Sequence, residues 1–98
     1  MAYKVVITPE AAEDLEKAFL YYVDHVSNRV AKGFANDLKS TLLDIQKTLF
    51  FQIFHQNYRI KSLKKYPYII FYTLDEVNKL ILIKAIFHTS QNPKKYPE

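Results

Sequence analysis

Apolar residues fall at two spacings along this chain, and the change from one to the other divides it. Tyr3 to Ile7 is a short β-prone run. Thr8-Pro9-Glu10 then opens a helix: Thr8 caps, Pro9 fits the first helical position, and Glu10, Glu13 and Asp14 favour the positive end of the dipole. Ala12, Leu15, Phe19, Tyr22 and Val26 follow at alternating steps of three and four, which is one helical stripe. Asp24 to Asn28 interrupts the pattern, with Ser27 as a second cap. Val30, Phe34, Leu38, Leu42, Ile45 and Leu49 form another stripe, so two amphipathic helices joined by a few residues predict an antiparallel hairpin. Gly33 inside the second helix costs it about 1 kcal/mol relative to Ala, and a close approach of the two helices is the reason expected for it.

The second half changes to strand-like runs. Tyr58-Arg59-Ile60-Lys61, Tyr68 to Tyr72 and Leu80 to Phe87 are separated by turn residues and predict three antiparallel strands. Phe50 to Gln56 is expected to be an apolar connector crossing from the helices to the sheet. The fold class is therefore α+β, in the order β-α-α-β-β-β. The N-terminal strand and the helical hairpin pack on one face of a small, mainly antiparallel sheet. Residues 1–98 read as one domain.

A four-residue turn at Asp75–Asn78 would pair Leu74 with Lys79, Tyr72 with Ile81, Ile70 with Ile83 and Tyr68 with Ala85. Tyr68, Ile70, Tyr72, Ile81, Ile83, Ala85 and Phe87 then face the helices. The other face carries Ile69, Phe71, Leu80, Leu82 and Ile86 with Lys84 and His88. A three-residue turn at Lys64–Tyr66 adds Arg59 and Lys61 to it and leaves Tyr58 and Ile60 for the core. No further element remains to cover this second face, so it predicts a partner chain or a homodimer packed sheet to sheet.

Charge sharpens that expectation. Residues 1–49 carry six basic and seven acidic side chains, net −1, whereas residues 50–98 carry eight and three, net +5. A basic half favours an acidic partner, whether nucleic acid or protein, although a basic surface also serves solubility alone. With 49% apolar residues and fifteen Tyr and Phe, the chain is too rich for disorder. No apolar run reaches the roughly 20 residues that span a bilayer, and the N-terminus lacks an apolar signal region, so a cytoplasmic protein without membrane contact is expected. Absence of cysteine excludes disulfide and thiolate chemistry.

Familiar catalytic patterns are missing. One Gly cannot build a phosphate loop, and His25, His55 and His88 are scattered without Cys or paired carboxylates, so neither metal nor cofactor is expected. What remains is a cationic set: Arg59, Lys61, Lys64, Lys65, Lys84, His88, Lys94 and Lys95, with Tyr96. Such a set binds phosphate backbones and supports RNA cleavage by general acid–base chemistry. The same residues also fit structural roles, with Arg59 in an ion pair, His88 as a hydrogen-bonded strand end, and the lysine pairs as solvated turn and tail.

The chain resembles the RelE/ParE superfamily of type II toxin–antitoxin toxins. Tyr3-Lys4-Val5, Thr8-Pro9-Glu10-Ala11, Asp14-Leu15, Tyr22, Ala31-Lys32-Gly33-Phe34, Tyr58-Arg59-Ile60, Tyr66 to Tyr72 and Ile86-Phe87-His88-Thr89-Ser90-Gln91-Asn92-Pro93 carry the resemblance over nearly the whole length. It implies a co-expressed antitoxin that wraps the toxin, in a toxin–antitoxin hetero-oligomer. Ile69, Phe71, Leu80, Leu82, Lys84, Ile86, Lys94 and Lys95 are then the expected antitoxin- or target-binding residues.

Two activities occur in the superfamily. RelE-like members cleave mRNA on the ribosome, and by position Arg59, Lys61, His88 and Tyr96 would carry that catalysis. The arginines expected on the middle strand and after the last strand fall at Ile69 and near Ser90, which removes cations that stabilise the transition state. ParE-like members act on DNA gyrase without that set. The His88-Thr89-Ser90 ending resembles this branch, whose members include plasmid stabilisation proteins. The expectation is therefore a growth-inhibiting ParE-like toxin acting on gyrase. An mRNA interferase, or a non-toxic binding protein that keeps the fold, are the alternatives.

Overall fold

A computed structural model describes residues 3–48, 53–55 and 58–89. Its elements are β1 (Lys4–Ile7), α1 (Pro9–His25), α2 (Asn28–Lys47), β2 (Ile53–His55), β3 (Tyr58–Ser62), β4 (Tyr68–Asp75) and β5 (Leu80–His88). The five strands form one sheet in the order β1-β5-β4-β3-β2. β1 runs parallel to β5 and the other neighbours are antiparallel. This is the expected α+β architecture with two differences: β1, expected to pack on a face of the sheet, is an edge strand within it beside β5, and the sheet gains a strand. Part of the Phe50–Gln56 stretch, expected to be a connector, is the short strand β2 on the edge beside β3. The rest of that stretch lies outside the described residues.

Both helix starts follow the sequence signals. The Thr8 hydroxyl accepts from the Ala11 N–H at 3.3 Å, with Pro9 at the first helical position, and the Ser27 hydroxyl accepts from the Val30 N–H at 3.1 Å. Thr8 also donates from its hydroxyl (2.7 Å) and its N–H (3.1 Å) to the Ile83 carbonyl, fastening the start of α1 to β5. The buried stripe of α1 is rotated from the expected one: Ala11 and Ala18 are buried with Leu15, Phe19 and Tyr22 packed beside them, while Ala12 is exposed and Val26 is the exposed C-cap. Small alanines at the contact let the helix lie close on the sheet. In α2 the buried positions are Ala31, Phe34, Asp37, Leu38, Thr41 and Ile45.

Asp37 is buried because it has a task. Its Oδ1 accepts from the Lys64 N–H at 3.3 Å, and its Oδ2 accepts from Lys65 at 2.7 Å and Tyr66 at 3.1 Å. One carboxylate thus shapes the whole β3–β4 loop, in the manner of a helix cap. Tyr66, fixed in this way, donates its hydroxyl to the Val30 carbonyl at 2.9 Å. A Cβ at Gly33 would collide with that hydroxyl. The close approach at Gly33 is therefore made by Tyr66 of the loop, not by the partner helix.

Register is where the structure departs most from expectation. Beyond the Leu63 N–H bond to the Tyr68 carbonyl, the β3–β4 loop holds four residues, Lys64–Pro67, and the register pairs Ser62 with Ile69, Lys61 with Ile70 and Arg59 with Tyr72. One residue more in the loop turns every side chain of β3 over. Arg59 and Lys61 consequently lie on the helix side of the sheet, and Tyr58 and Ile60 on the outer side. The β4–β5 turn is Glu76–Lys79, one residue later than expected, with Lys79 at φ 59°. Pairing there becomes Leu74 with Ile81 and Tyr72 with Ile83, a slip of two that preserves the faces. Beyond it the register shifts, so that Phe71 pairs with Ala85 and Lys84 is the extra residue of a bulge. The bulge inverts the end of β5. Ile86 and His88 join Ile70 and Tyr68 on the helix side, whereas Ala85 and Phe87 move to the outer side.

Candidate functional site: two sheet faces and a cleft

The helix-side face is filled at its centre. Tyr72, Ile70, Ile81 and Ile83 are fully buried, and Phe34 packs with Tyr22, Tyr66 and Tyr68 at ring-centre distances of 5.0 to 5.7 Å. Arg59 and Lys61 lie half-buried on β3, and His88 sits at the end of β5 with its ring edge-on to Tyr68 at 5.1 Å. These three share a face, but β4 with its buried Tyr68, Ile70 and Tyr72 runs between Arg59 and Lys61 on one side and His88 on the other. Ile69, the position of the missing middle-strand arginine, lies on the opposite face, paired with Ser62 and Phe87. Tyr96 and the position near Ser90 lie outside the described residues.

The outer face is apolar. Ile69, Leu80 and Leu82 are half-buried, and Val6 of β1, beside Leu82, keeps 39% of its surface. Two of the residues assigned to this surface do not present themselves there. Ile86 faces the helices at 4% exposure, because of the bulge. Phe71 points outward but is fully buried, edge-on to Phe87 at 5.7 Å, so the face is not bare at its centre as expected. Lys94 and Lys95 lie outside the described residues.

A third feature was not anticipated. Between α1 and the end of β5 opens a cleft of about 520 Å³, lined by Asp14, Lys17, Tyr21, Tyr22, Tyr68 and His88, with Ala18, Ile86 and Phe87 forming its apolar wall. The Asp14 carboxylate accepts from the Ile86 N–H at 3.1 Å, close to the bulge, through Oδ2. Burial raises its pKa above the usual carboxylate value, and the Ile86 hydrogen bond opposes that shift. Burial likewise raises the Tyr22 phenol and pushes the Tyr68 phenol up to about 12. Both are neutral at physiological pH. The signal for this cleft was present in the sequence: Asp14 lies three residues after Ala11 and four before Ala18, on the stripe that turns out to be buried.

Chain order and sheet geometry now allow a comparison with known families. The family model for the ParE toxin of the type II toxin–antitoxin system parDE matches residues 5–93. The chain belongs to the ParE toxin family. Among solved structures, this ParE family member is similar to a chain of the chromosomal ParDE system from P. aeruginosa, with a TM-score of 0.77, 18% identity, and coverage of 90% of this chain and 97% of that one. It is also similar to a chain of the RelBE2 toxin–antitoxin complex from Mycobacterium tuberculosis, with a TM-score of 0.60, 15% identity, and coverage of 90% and 99%. The isolated E. coli RelE toxin gives a TM-score of 0.57 at 10% identity, covering 95% of this chain and 90% of that one. At these identities the structural likenesses establish the fold that ParE and RelE toxins share. No curated protein matches the sequence. No helix among the described residues is long and apolar enough to cross a membrane.

Proposed function

We propose that this ParE family member is a growth-inhibiting toxin that acts on DNA gyrase in the cytoplasm, as in plasmid stabilisation systems, and is neutralised by a cognate antitoxin. The observation that carries the reading is the family match across residues 5–93. The site geometry supports it against nuclease chemistry. Ile69 replaces a cation expected of the RelE-like branch and lies on the other side of the sheet from Arg59 and Lys61. Among the described residues, Arg59 and Lys61 are separated from His88 by β4 and do not gather around one point where a phosphate oxyanion would form.

An mRNA interferase is the second reading, favoured by the shared face of Arg59, Lys61 and His88. Induction of the chain in a bacterial host separates the two, with plasmid supercoiling and ribosome-positioned mRNA cuts read from the same culture. Growth arrest with relaxed plasmid and intact mRNA supports the gyrase reading. Codon-positioned cuts that disappear in Arg59→Ala overturn it. Vigorous growth while soluble folded protein accumulates points instead to a binding protein that keeps the fold.

We propose that the antitoxin docks on the outer face, where Val6, Leu82 and Leu80 at one end and Ile69 at the other flank the buried Phe71 and Ala85. These four residues are apolar and partly exposed, as a partner-binding surface requires. Leu82→Asp tests the placement, with the product of the neighbouring open reading frame as the probe. Loss of binding with unchanged circular dichroism is expected, and retained affinity contradicts it. Phe71→Asp is unsuitable because Phe71 is fully buried.

A further inference from the structure

The cleft between α1 and the end of β5 shares Ala18, Tyr22, Tyr68 and Ile86 with the core and adds Asp14, Lys17 and the exposed Tyr21. Tyr21 stands edge-on to Tyr22 at 5.7 Å, Tyr22 edge-on to Tyr68 at 6.3 Å, and Tyr68 edge-on to His88 at 5.1 Å. These rings form a continuous aromatic wall. Tyr21 is additionally stacked on His25 at 4.7 Å, which steadies an exposed ring. Neutral phenol faces attract cations through their quadrupoles.

One charge of the lining lacks a close partner. Asp14 uses Oδ2 for the Ile86 N–H, and its Oδ1 has no hydrogen-bond partner among the described residues. Lys17, the basic side chain in the lining, pairs with Glu13 at 3.6 Å on the exposed side of α1. The cleft therefore offers one partly desolvated carboxylate among tyrosine rings and phenol oxygens, with the Lys17 charge, which also acts on Asp14, at its exposed edge.

We infer that this cleft binds the guanidinium group of an arginine presented by a partner polypeptide. Two of its features select that group, the Asp14 oxygen left without a hydrogen bond in the same cleft as Tyr22 and Tyr68, and the half-exposed Tyr21 in its lining. A planar guanidinium stacks on tyrosine while donating to a carboxylate and to phenol oxygens, which a compact ammonium does less well. A polypeptide source follows from the pairing of Lys17 with Glu13. The α-carboxylate of a free amino acid would have to compete with Glu13 for Lys17, whereas residues flanking an arginine in a chain would meet the exposed Tyr21.

N-acetyl-arginine-amide is the probe, titrated into the full chain while the Ile86 amide resonance is followed by NMR. A saturable shift is expected, with N-acetyl-citrulline-amide, the neutral isostere, binding at least about tenfold more weakly. Asp14→Asn, which keeps an acceptor for the Ile86 N–H, and Tyr21→Ala, on an exposed ring, are each expected to weaken binding by about fivefold or more. Equal binding of the citrulline analogue, or undiminished binding by Asp14→Asn, overturns the inference. Tighter binding of free arginine than of the blocked form overturns the polypeptide source. Inorganic phosphate shifting the same resonance in place of the arginine probe would make this an anion site and overturn the inference as well. The outcome does not depend on whether gyrase is the target.

Discussion

Gly33 and Tyr66 are matched: the glycine leaves the space that the tyrosine hydroxyl fills to reach the Val30 carbonyl at 2.9 Å. Replacing a helical glycine by alanine ordinarily stabilises by about 1 kcal/mol. Here the sign should reverse. Gly33→Ala is expected to destabilise by about 1–2 kcal/mol, because Tyr66 is wedged against Tyr22 and Phe34 and cannot swing away cheaply. Urea unfolding of Gly33→Ala, Tyr66→Phe and the double variant checks this. In the Tyr66→Phe background the alanine should become harmless or stabilising.

Asp37 organises the β3–β4 loop that sets the register of β3. Asp37→Ala leaves three backbone N–H groups without their acceptor, at an expected cost of about 2–3 kcal/mol, since part of the loop finds water instead. Asp37→Asn should cost less, because one acceptor oxygen remains. A loss below about 1 kcal/mol for Asp37→Ala in urea titrations would show that the loop holds its shape without the carboxylate.

The tyrosines at the cleft make stability sensitive to alkali. Tyr68 has a folded pKa of about 12 against an ordinary value of 10.0, so the folded state retains a proton that the unfolded state releases. Its contribution is complete below pH 10 and is lost as pH rises from 10 through about 12. Tyr22, also raised by burial, acts in the same direction. Thermal unfolding followed from pH 8 to 12 should show this decline, and Tyr68→Phe should flatten it. An unchanged profile in Tyr68→Phe would mean that the decline has another source.

These particular residues also show what the chain discloses before folding. The caps at Thr8 and Ser27, the two helices and the strand order were legible, because each rests on local chemistry or on a long periodic pattern. The faces of β3 and of the end of β5 were not. Both depend on a single residue: Pro67, which lengthens the β3–β4 loop to four, and Lys84, which bulges out of β5. Leu80 to Phe87 is apolar on both faces, so its alternation gives no sign of a bulge. The structural tasks of Asp14 and Asp37 were hidden for another reason. An acid on an amphipathic helix is expected in water, yet both lie on buried stripes and accept backbone N–H groups from across the fold.

The cationic residues illustrate the cost of that one-residue slip. Arg59 and Lys61 were expected beside Ile69 on an open outer face, as part of a nucleic-acid surface. On the helix side they sit, half-buried, next to buried Tyr72 and Ile70. Their displacement weakens the nuclease reading further than the sequence alone does.

The most direct test of the central claim is supercoiling of relaxed plasmid by purified DNA gyrase in the presence of increasing amounts of the purified chain. Dose-dependent loss of supercoiling is expected, reversed by the antitoxin and retained in Arg59→Ala. Full supercoiling at a large excess of folded toxin would contradict it.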